Sequence, residues 1–163
     1  MLEDKVAVIG GSHGSFISAH LIGQYPDIFK AAVMRNPVCD ISLMIHQTDI
    51  PDWCFIETFG ITDGMKKAQS CVTESDLVDM FQKSPVRYIS KVKTPVLMML
   101  GGADRRVPMD DGKRYISRLQ QSSPDIDTRV IVFPKDSHGL TNPQTEFEQW
   151  ITALWWLKVH DVV

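Results

Sequence analysis

The stretch GGSHG, residues 10–14, decides the fold prediction. An apolar run rich in β-branched side chains, residues 5–9, precedes it and predicts a buried strand. Residues 15–22 follow it, and their apolar side chains recur at the spacing of one helix face. The stretch therefore predicts a strand, a tight glycine-rich turn and a helix in direct succession.

The serine at the centre of this turn is the first candidate functional residue. Gly-x-Ser-x-Gly between a strand and a helix is typical of a nucleophile elbow, whose strained backbone exposes the serine hydroxyl. We expect Ser12 to be strained, and Gly10 and Gly14 to be needed because a Cβ atom at either position would clash between strand and helix. The backbone N–H of His13, at the positive end of the helix, would then face a developing oxyanion. The same pattern also occurs by chance in ordinary glycine-rich turns, so residues elsewhere in the chain must distinguish a nucleophile elbow from such a turn.

Strand and helix patterns alternate along the rest of the chain. Further strands are predicted at residues 31–34, 96–100 and 129–134. Residues 96–100 are apolar without alternation, which indicates that helices cover both faces of the sheet. The succession predicts an α/β fold with an open parallel sheet of about four strands and helices on both faces.

Three details of this succession can be checked against a structure. Residues 61–75 are polar and are predicted to form a surface insertion, with Ser75 capping the next helix. Asn142 and Pro143 mark the start of the last helix. Its apolar stripe is predicted from side chains at three- and four-residue spacing: Phe147, Trp150, Ile151, Leu154 and Trp155.

Side chains of three chemical types follow three of the predicted strands. Ser12 follows the first strand, Asp104 the strand at 96–100, and His138 the last strand. The carboxyl ends of parallel strands lie at one edge of a sheet, where ligands bind. A histidine can accept the proton of a serine hydroxyl, and a carboxylate orients and stabilises the imidazole. The order Ser, Asp, His predicts a catalytic triad, although Asp104 alone would be a turn residue and His138 alone a solvated histidine.

Composition and charge exclude several classes of protein. The 163 residues suit one domain, and a net charge of −3 with a pI near 5.9 predicts no nucleic-acid partner. The apolar runs are too short for a bilayer and no leader peptide opens the sequence, so we expect a cytoplasmic protein without a membrane partner. Cys39, Cys54 and Cys71 lack metal-site spacing, which predicts reduced thiols and no metal site.

Several further motifs resemble those of one known family. They are HLIGQYP at 20–26, RNP at 35–37, TDIPDWC at 48–54, KSP at 83–85, VKTPVL at 92–97 and DRRVP at 104–108. With the elbow, they make nearly the whole chain similar to the acylaminoacyl-peptidase (acylpeptide hydrolase) group of prolyl oligopeptidase-type serine peptidases, and most of all to its animal members. The motif at 48–54 is more specific than the elbow, because generic hydrolases lack it.

The resemblance implies an α/β-hydrolase fold and supports the triad. It also implies that the backbone N–H of His13 is one oxyanion donor and that Arg106 matches an arginine near the substrate. Trp53 lies in the segment that helps to wall the acyl-amino-acid pocket in such enzymes, and a core aromatic is an equally good interpretation of it. The resemblance implies no cofactor and no metal.

The sequence departs from the family pattern at several positions, including Phe59-Gly60 with the insertion that follows and Gly139 after His138. Ser15 stands where the family usually has a third glycine, which would alter the packing after the elbow. The resemblance covers only the carboxyl-terminal half of the hydrolase fold. Residues 1–163 are therefore predicted to be a partial domain without the N-terminal propeller, the first strands and the loop that supplies a second oxyanion donor. The strand at 5–9 would then have an unpaired edge, which favours a homo-oligomer.

Together, the residues and the resemblance predict a serine hydrolase that releases an N-acylated amino acid from acylated peptides through an acyl-enzyme. The expected partners are N-acylated peptides and further copies of the chain. Two alternatives stay open. One is a general carboxylesterase with the same triad, and the other is a non-catalytic fragment that acts only by association.

Overall fold

Four parallel strands form one open sheet in the computed structural model, which describes residues 5–163. The strands lie across the sheet in chain order: β1 (Ala7–Gly11), β2 (Ala31–Arg35), β3 (Val96–Gly101) and β4 (Thr128–Phe133). Ile9 is opposite Val33, and Val33 is opposite Leu97. The predicted parallel α/β sheet is confirmed, and β1 forms one of its edges. The leader prediction concerns an opening that includes residues 1–4, which lie outside the described residues.

Helices cover both faces of this sheet, as predicted. They are α1 (His13–Gln24), α2 (Ile41–Met44), α3 (Pro51–Phe59), α4 (Ile61–Lys67), α5 (Glu74–Gln82), a 3₁₀ helix (Pro85–Lys91), α6 (Met109–Ser122) and α7 (Pro143–Val159). On one face, Ile22 of α1 and Leu119 of α6 are buried in the same core cluster as Met98 of β3. On the other face, Trp156 of α7 is buried with Leu97. Alternate residues of β3 therefore enter opposite cores, which explains its unbroken apolar sequence.

A third apolar cluster connects the start of α1 with the helices inserted between β2 and β3. Phe16 of α1, Met44 of α2, Phe55 of α3 and Met80 of α5 are buried in it, together with Val107. Val107 belongs to the loop that follows β3. This cluster therefore ties the inserted helices to the loops at the carboxyl ends of the strands.

The polar segment at 61–75 lies mostly at the surface, as predicted, and it contains helix α4. A Cβ atom on Gly64 would lie 2.6 Å from the Cα of Ile56, so α4 approaches the backbone of α3 through a glycine. Its apolar residues Ile61 and Met65 are exposed. The helix therefore carries no inward apolar stripe, and periodicity could not reveal it.

The cap of α5 is also different from the predicted one. Thr73, and not Ser75, is the N-cap: its hydroxyl accepts the N–H of Asp76 at 3.2 Å, and the Asp76 carboxylate accepts the N–H of Thr73 at 3.0 Å. This reciprocal arrangement is a capping box with aspartate in the place of the usual glutamate. The prediction was wrong by two residues because threonine, serine and aspartate follow one another closely here.

The last helix begins after Asn142 with Pro143 at its first turn, as predicted, but its apolar stripe points outward. Phe147, Trp150, Ile151, Leu154 and Trp155 are between 44% and 70% exposed. The buried face instead carries Thr145, Gln149, Ala153 and Trp156. Thr145 and Gln149 bind the loop before the helix, through the Asp136 carboxylate at 2.6 Å and the Leu140 carbonyl at 3.2 Å. These bonds fix the helix with its less apolar side against the sheet.

The cysteines carry no disulfide: Cys39 and Cys54 are buried thiols and Cys71 is exposed. Burial raises the pKa of Cys54 to about 12, so this thiol stays protonated at neutral pH. Among residues 5–163, no cluster of three or more metal-ligand side chains is found. No helix in that range combines the length and apolarity needed to cross a bilayer.

Candidate active site

The turn between β1 and α1 has the geometry expected of a nucleophile elbow. Ser12 has a φ of 55°, a backbone conformation that side chains other than glycine rarely adopt. A Cβ atom on Gly10 would lie 2.3 Å from the carbonyl oxygen of Gly14, so glycine is required at position 10. The expectation for Gly14 was wrong, because a Cβ atom there would meet nothing within 4 Å. Only the strand side of the turn is crowded.

Ser15 ties the elbow to the neighbouring strand. Its buried Oγ lies 2.7 Å from the carbonyl oxygen of Gly10 and accepts the N–H of Arg35 at 2.9 Å. The hydroxyl therefore connects both ends of the turn to β2. The glycine that the family usually has at position 15 could not make these bonds. Ser15 therefore adds hydrogen bonds beside Ser12 that a glycine would lack.

The structure brings the three predicted triad side chains together from widely separated parts of the sequence. The Nε2 atom of His138 lies 2.8 Å from the Oγ of Ser12, and its Nδ1 atom lies 2.7 Å from an Oδ atom of Asp104. The Asp104 carboxylate is fully buried, and the His138 side chain is 24% exposed. The second oxygen of Asp104 accepts the N–H groups of Arg106 and Val107 at 2.8 and 3.0 Å. A carboxylate held in this way keeps one oxygen free for the imidazole.

Asn36 holds the loop of His138 in place, a role that the sequence did not reveal. It follows β2, is buried, and has a φ of 43°, which asparagine tolerates better than most residues. Its side-chain oxygen accepts the N–H of Gly101 at 2.7 Å, and its side-chain nitrogen donates to the carbonyl of His138 at 2.8 Å. One side chain thus connects the ends of β2 and β3 to the histidine loop. The sequence signals are its place directly after a strand and before a proline, and its membership of the RNP motif at 35–37.

Asp136 stabilises the same loop from the other side. Its carboxylate accepts the N–H of Asn142 at 3.1 Å and the hydroxyl of Thr145 at 2.6 Å, while its carbonyl accepts the N–H of Ala103 at 2.9 Å. The loop of His138 is therefore bound to the start of α7 and to the loop of Asp104. Sequence reasoning missed this residue because a loop aspartate has no distinctive spacing.

His13 and Trp53 lie beside the elbow, in contact with each other. The two rings meet edge to face at 5.8 Å between centroids, and the His13 ring stacks on Phe16 at 5.4 Å. The Nε2 atom of His13 lies 3.2 Å from a carboxylate oxygen of Glu57. The backbone N–H of His13 is the first of α1, and the first amides of a helix have no partner within it. This amide is available for an oxyanion next to Ser12.

Arg106 borders a cleft next to His138. The cleft has a volume of about 300 Å³ and is lined by Asp49, Ala103, Arg105, Arg106, Ser137 and His138. The Nε of Arg106 lies 3.3 Å from a carboxylate oxygen of Asp49. Two predicted site residues, Arg106 and His138, therefore share one cleft.

The arrangement has the groups needed to transfer a proton from the Ser12 hydroxyl. A neutral His138 with its proton on Nδ1, donating to Asp104, has a free lone pair on Nε2 to accept that proton. The adjoining helix end supplies an amide for developing negative charge. A parallel sheet with helices on both faces and a serine on a strained turn after a strand is the architecture of the α/β-hydrolase peptidases.

Within that class, the chain belongs to the prolyl oligopeptidase family, whose model matches residues 1–160. It is 48% identical over 160 residues to acylamino-acid-releasing enzyme 1 of Oryza sativa subsp. japonica, covering 96% of the chain and 20% of that protein. It is 44% identical over 156 residues to the human acylamino-acid-releasing enzyme, covering 95% of the chain and 20% of that protein. The rice protein is more similar than the human one, so the expectation that animal members are nearest was wrong.

A solved structure supports the fold. The acylaminoacyl peptidase of Pyrococcus horikoshii superimposes with a TM-score of 0.78 at 19% identity, covering 96% of this chain and 24% of that one. At this identity the likeness concerns the fold alone. The chain spans about one fifth of the length of the curated relatives that it matches.

Proposed function

We propose that the protein is a serine hydrolase that releases the N-acylated first residue from acylated peptides. Ser12 is the nucleophile, His138 the general base, Asp104 the carboxylate that orients it, and the His13 N–H an oxyanion donor. The observation that carries the proposal is the continuous chain of hydrogen bonds from Ser12 through His138 to Asp104, 2.8 and 2.7 Å long, after three different strands.

The reaction follows from the positions of these groups. Ser12 Oγ attacks the carbonyl carbon of the scissile bond while its proton passes to Nε2 of His138. The negative charge that develops on the carbonyl oxygen is stabilised by the His13 amide. His138 then gives the proton to the leaving amine, and the acyl group stays on Ser12. His138 then takes a proton from a water molecule, whose oxygen attacks the ester carbon, and returns that proton to Ser12 Oγ as the acylated amino acid leaves. These steps restore the starting protonation states and need no metal or cofactor.

The substrate class rests on the relatives and on two side chains beside the triad. The rice and human relatives are named acylamino-acid-releasing enzymes. Arg106 offers guanidinium donors to a substrate carbonyl in the cleft next to His138. Trp53 is half-buried against His13 and gives an aromatic wall beside the nucleophile. We assign both residues to substrate binding.

The proposal extends to the setting in which the chain works. We propose that residues 1–163 are part of an α/β-hydrolase domain, that copies of the chain associate through the exposed edge of β1, and that the protein is cytoplasmic. The edge carries unpaired backbone groups that a second strand can bind.

Active-site labelling tests the proposed nucleophile. A fluorophosphonate forms a covalent bond only with an activated serine, so we expect it to modify Ser12 in the unsubstituted chain and not in Ser12→Ala. Ser90→Ala, which removes an exposed serine from the 3₁₀ helix, is the control and keeps full labelling. Peptide mass spectrometry locates the adduct. Labelling of another serine, or none at all, contradicts the assignment, and no labelling with a folded chain favours the non-catalytic alternative.

A substrate comparison separates the remaining alternative. An acylaminoacyl-peptidase releases acetyl-alanine from acetyl-alanyl peptides, whereas a general carboxylesterase prefers short-chain esters without an amide. We expect the acetylated peptide to give the higher kcat/KM. The opposite ranking would assign the site to an esterase.

A further inference from the structure

The motif TDIPDWC, residues 48–54, contributes no side chain to the triad, yet it is bound along the loop that follows β3. The hydroxyl of Thr48 donates to the carbonyl of Arg106 at 2.7 Å, and the N–H of Asp49 donates to the carbonyl of Arg105 at 3.1 Å. The same Thr48 hydroxyl accepts the N–H of Ile50 at 3.1 Å. The motif is therefore held against both residues that follow Asp104.

The Asp49 side chain makes a third contact between the motif and the loop that follows β3. One of its carboxylate oxygens lies 3.3 Å from the Nε of Arg106. An arginine has five N–H donors, and Nε carries only one of them. Within residues 5–163, the terminal nitrogens of Arg106 have no hydrogen-bond partner. Asp49 thus contacts the Arg106 guanidinium at Nε and leaves the four N–H groups of its two terminal nitrogens available.

Arg106 belongs to a cleft next to His138 whose lining carries more basic than acidic residues. The residues that line the cleft next to His138 include two arginines, Arg105 and Arg106, and one acidic residue, Asp49. His138, which lines the cleft, contacts Asp104 through Nδ1 and Ser12 through Nε2, so the cleft adjoins the base of the proposed triad. Such a lining attracts a carbonyl oxygen and repels an ammonium group.

We propose that Asp49 is a positioning residue that orients the Arg106 guanidinium toward the carbonyl oxygen of the substrate's N-acyl group. The proposal rests on the proposed function and names how that site selects acylated N-termini. An acylated N-terminus offers a neutral carbonyl acceptor, whereas a free α-amino group is largely cationic at neutral pH and offers none. Asp49 and Arg106 are each about half exposed, 45% and 49%, so the pair adds little to stability. We therefore expect the loss of this ion pair to weaken substrate binding and not to lower stability.

Two covalent probes separate positioning from structure. The first is the diphenyl phosphonate analogue of acetyl-alanine, which keeps the acetyl amide; the second is an alkyl fluorophosphonate without an amide. In both reactions a bond forms between Ser12 Oγ and phosphorus, phenoxide or fluoride leaves with the electron pair of the broken bond, and the hydroxyl proton passes to His138. We expect Asp49→Ala to lower the second-order labelling rate of the acetylated probe about tenfold, the scale of one hydrogen bond to a charged group. The fluorophosphonate rate should stay unchanged.

Two further variants complete the test. Arg106→Met should lose as much as Asp49→Ala, and the double variant should lose no more, because both changes remove the same contact. Asp27→Ala breaks another exposed ion pair, with Lys93 at 2.8 Å, and should change neither rate. Equal losses with both probes would show a structural role, and no loss with the acetylated probe would also overturn the proposal. If neither probe labels the unsubstituted chain, the proposed function fails first and this inference with it.

Discussion

At the scale of single residues, Asp111 is a buried acid whose titration should be visible in stability. Its carboxylate lies in α6 and accepts the N–H groups of Cys39 and Asp40 at 2.8 and 3.3 Å. Burial raises the pKa of Asp111 to about 7; the two hydrogen bonds oppose this rise and the nearby Asp40 adds to it. Arg118, 3.5 Å from Asp40, also favours the charged form of Asp111.

The direction of the resulting pH dependence follows from proton binding. An unfolded aspartate has a pKa of about 3.9, so between about pH 4 and pH 7 the folded chain holds a proton that the unfolded chain releases. The free energy of unfolding should therefore fall as the pH rises through this window, by at most about 1.4 kcal/mol per pH unit from this group. Asp111→Asn should flatten the slope in urea titrations at several pH values. Asp110→Asn, at the exposed neighbour, should leave it unchanged, and an unchanged slope in Asp111→Asn contradicts the prediction.

At the residue scale, the sequence predicted which side chains meet, and their catalytic roles stay a prediction: the structure places Ser12, His138 and Asp104 in hydrogen-bond contact. Ser12, Asp104 and His138 could be named because each is of a reactive type, follows a strand and occurs in a known order. Asn36 and Ser15 could not be assigned their roles, because their importance lies in hydrogen bonds to backbone groups far away in the sequence. Such bonds exist only once the strands are placed side by side.

At the scale of single elements, the capping box of α5 gives a direct test. Thr73→Ala removes the hydroxyl that accepts the Asp76 N–H and should lower the free energy of unfolding by about 1 kcal/mol. Ser75→Ala changes the residue that the sequence favoured as the cap, and we expect an effect within about 0.5 kcal/mol. Urea denaturation of both variants makes the comparison. A larger loss in Ser75→Ala than in Thr73→Ala would contradict the observed cap.

Helix α7 shows what a periodic pattern can and cannot determine. The stripe of five apolar residues was found at the right spacing, and the helix begins at the predicted residue. Periodicity gives the angle between apolar side chains, but not the element that they contact. Here, bonds from Thr145 and Gln149 to the preceding loop decide the orientation. The apolar stripe is left on the surface, where Arg35 and Arg129 lie over the rings of Trp150 and Trp155 at 5.3 and 4.8 Å.

At the scale of the whole molecule, the exposed edge of β1 should control association. Ile9 lies in this strand and is 46% exposed, next to backbone groups that no strand among the described residues pairs. We expect the isolated chain to be larger than a monomer in sedimentation experiments. Ile9→Lys places a charge on the edge and should shift the chain toward the monomer. Ile17→Lys is the matched control, because Ile17 is 47% exposed on α1, and it should not change the mass.

An activity assay on the same isolated chain measures how much of the proposed reaction residues 1–163 can perform alone. The side chains of the proposed triad are in hydrogen-bond contact, and the family resemblance implies a second oxyanion donor besides the His13 amide, from a loop that we do not find among residues 5–163. Loss of one donor lowers turnover by about 10²–10³-fold, because the transition state loses a hydrogen bond that the bound substrate does not make. We therefore expect acetyl-alanine release at least about 10²-fold slower than by the full-length rice relative. Fluorophosphonate labelling in parallel shows that the triad is intact. A monodisperse monomer that turns over as fast as the rice enzyme would mean that neither the second donor nor a partner for β1 is needed.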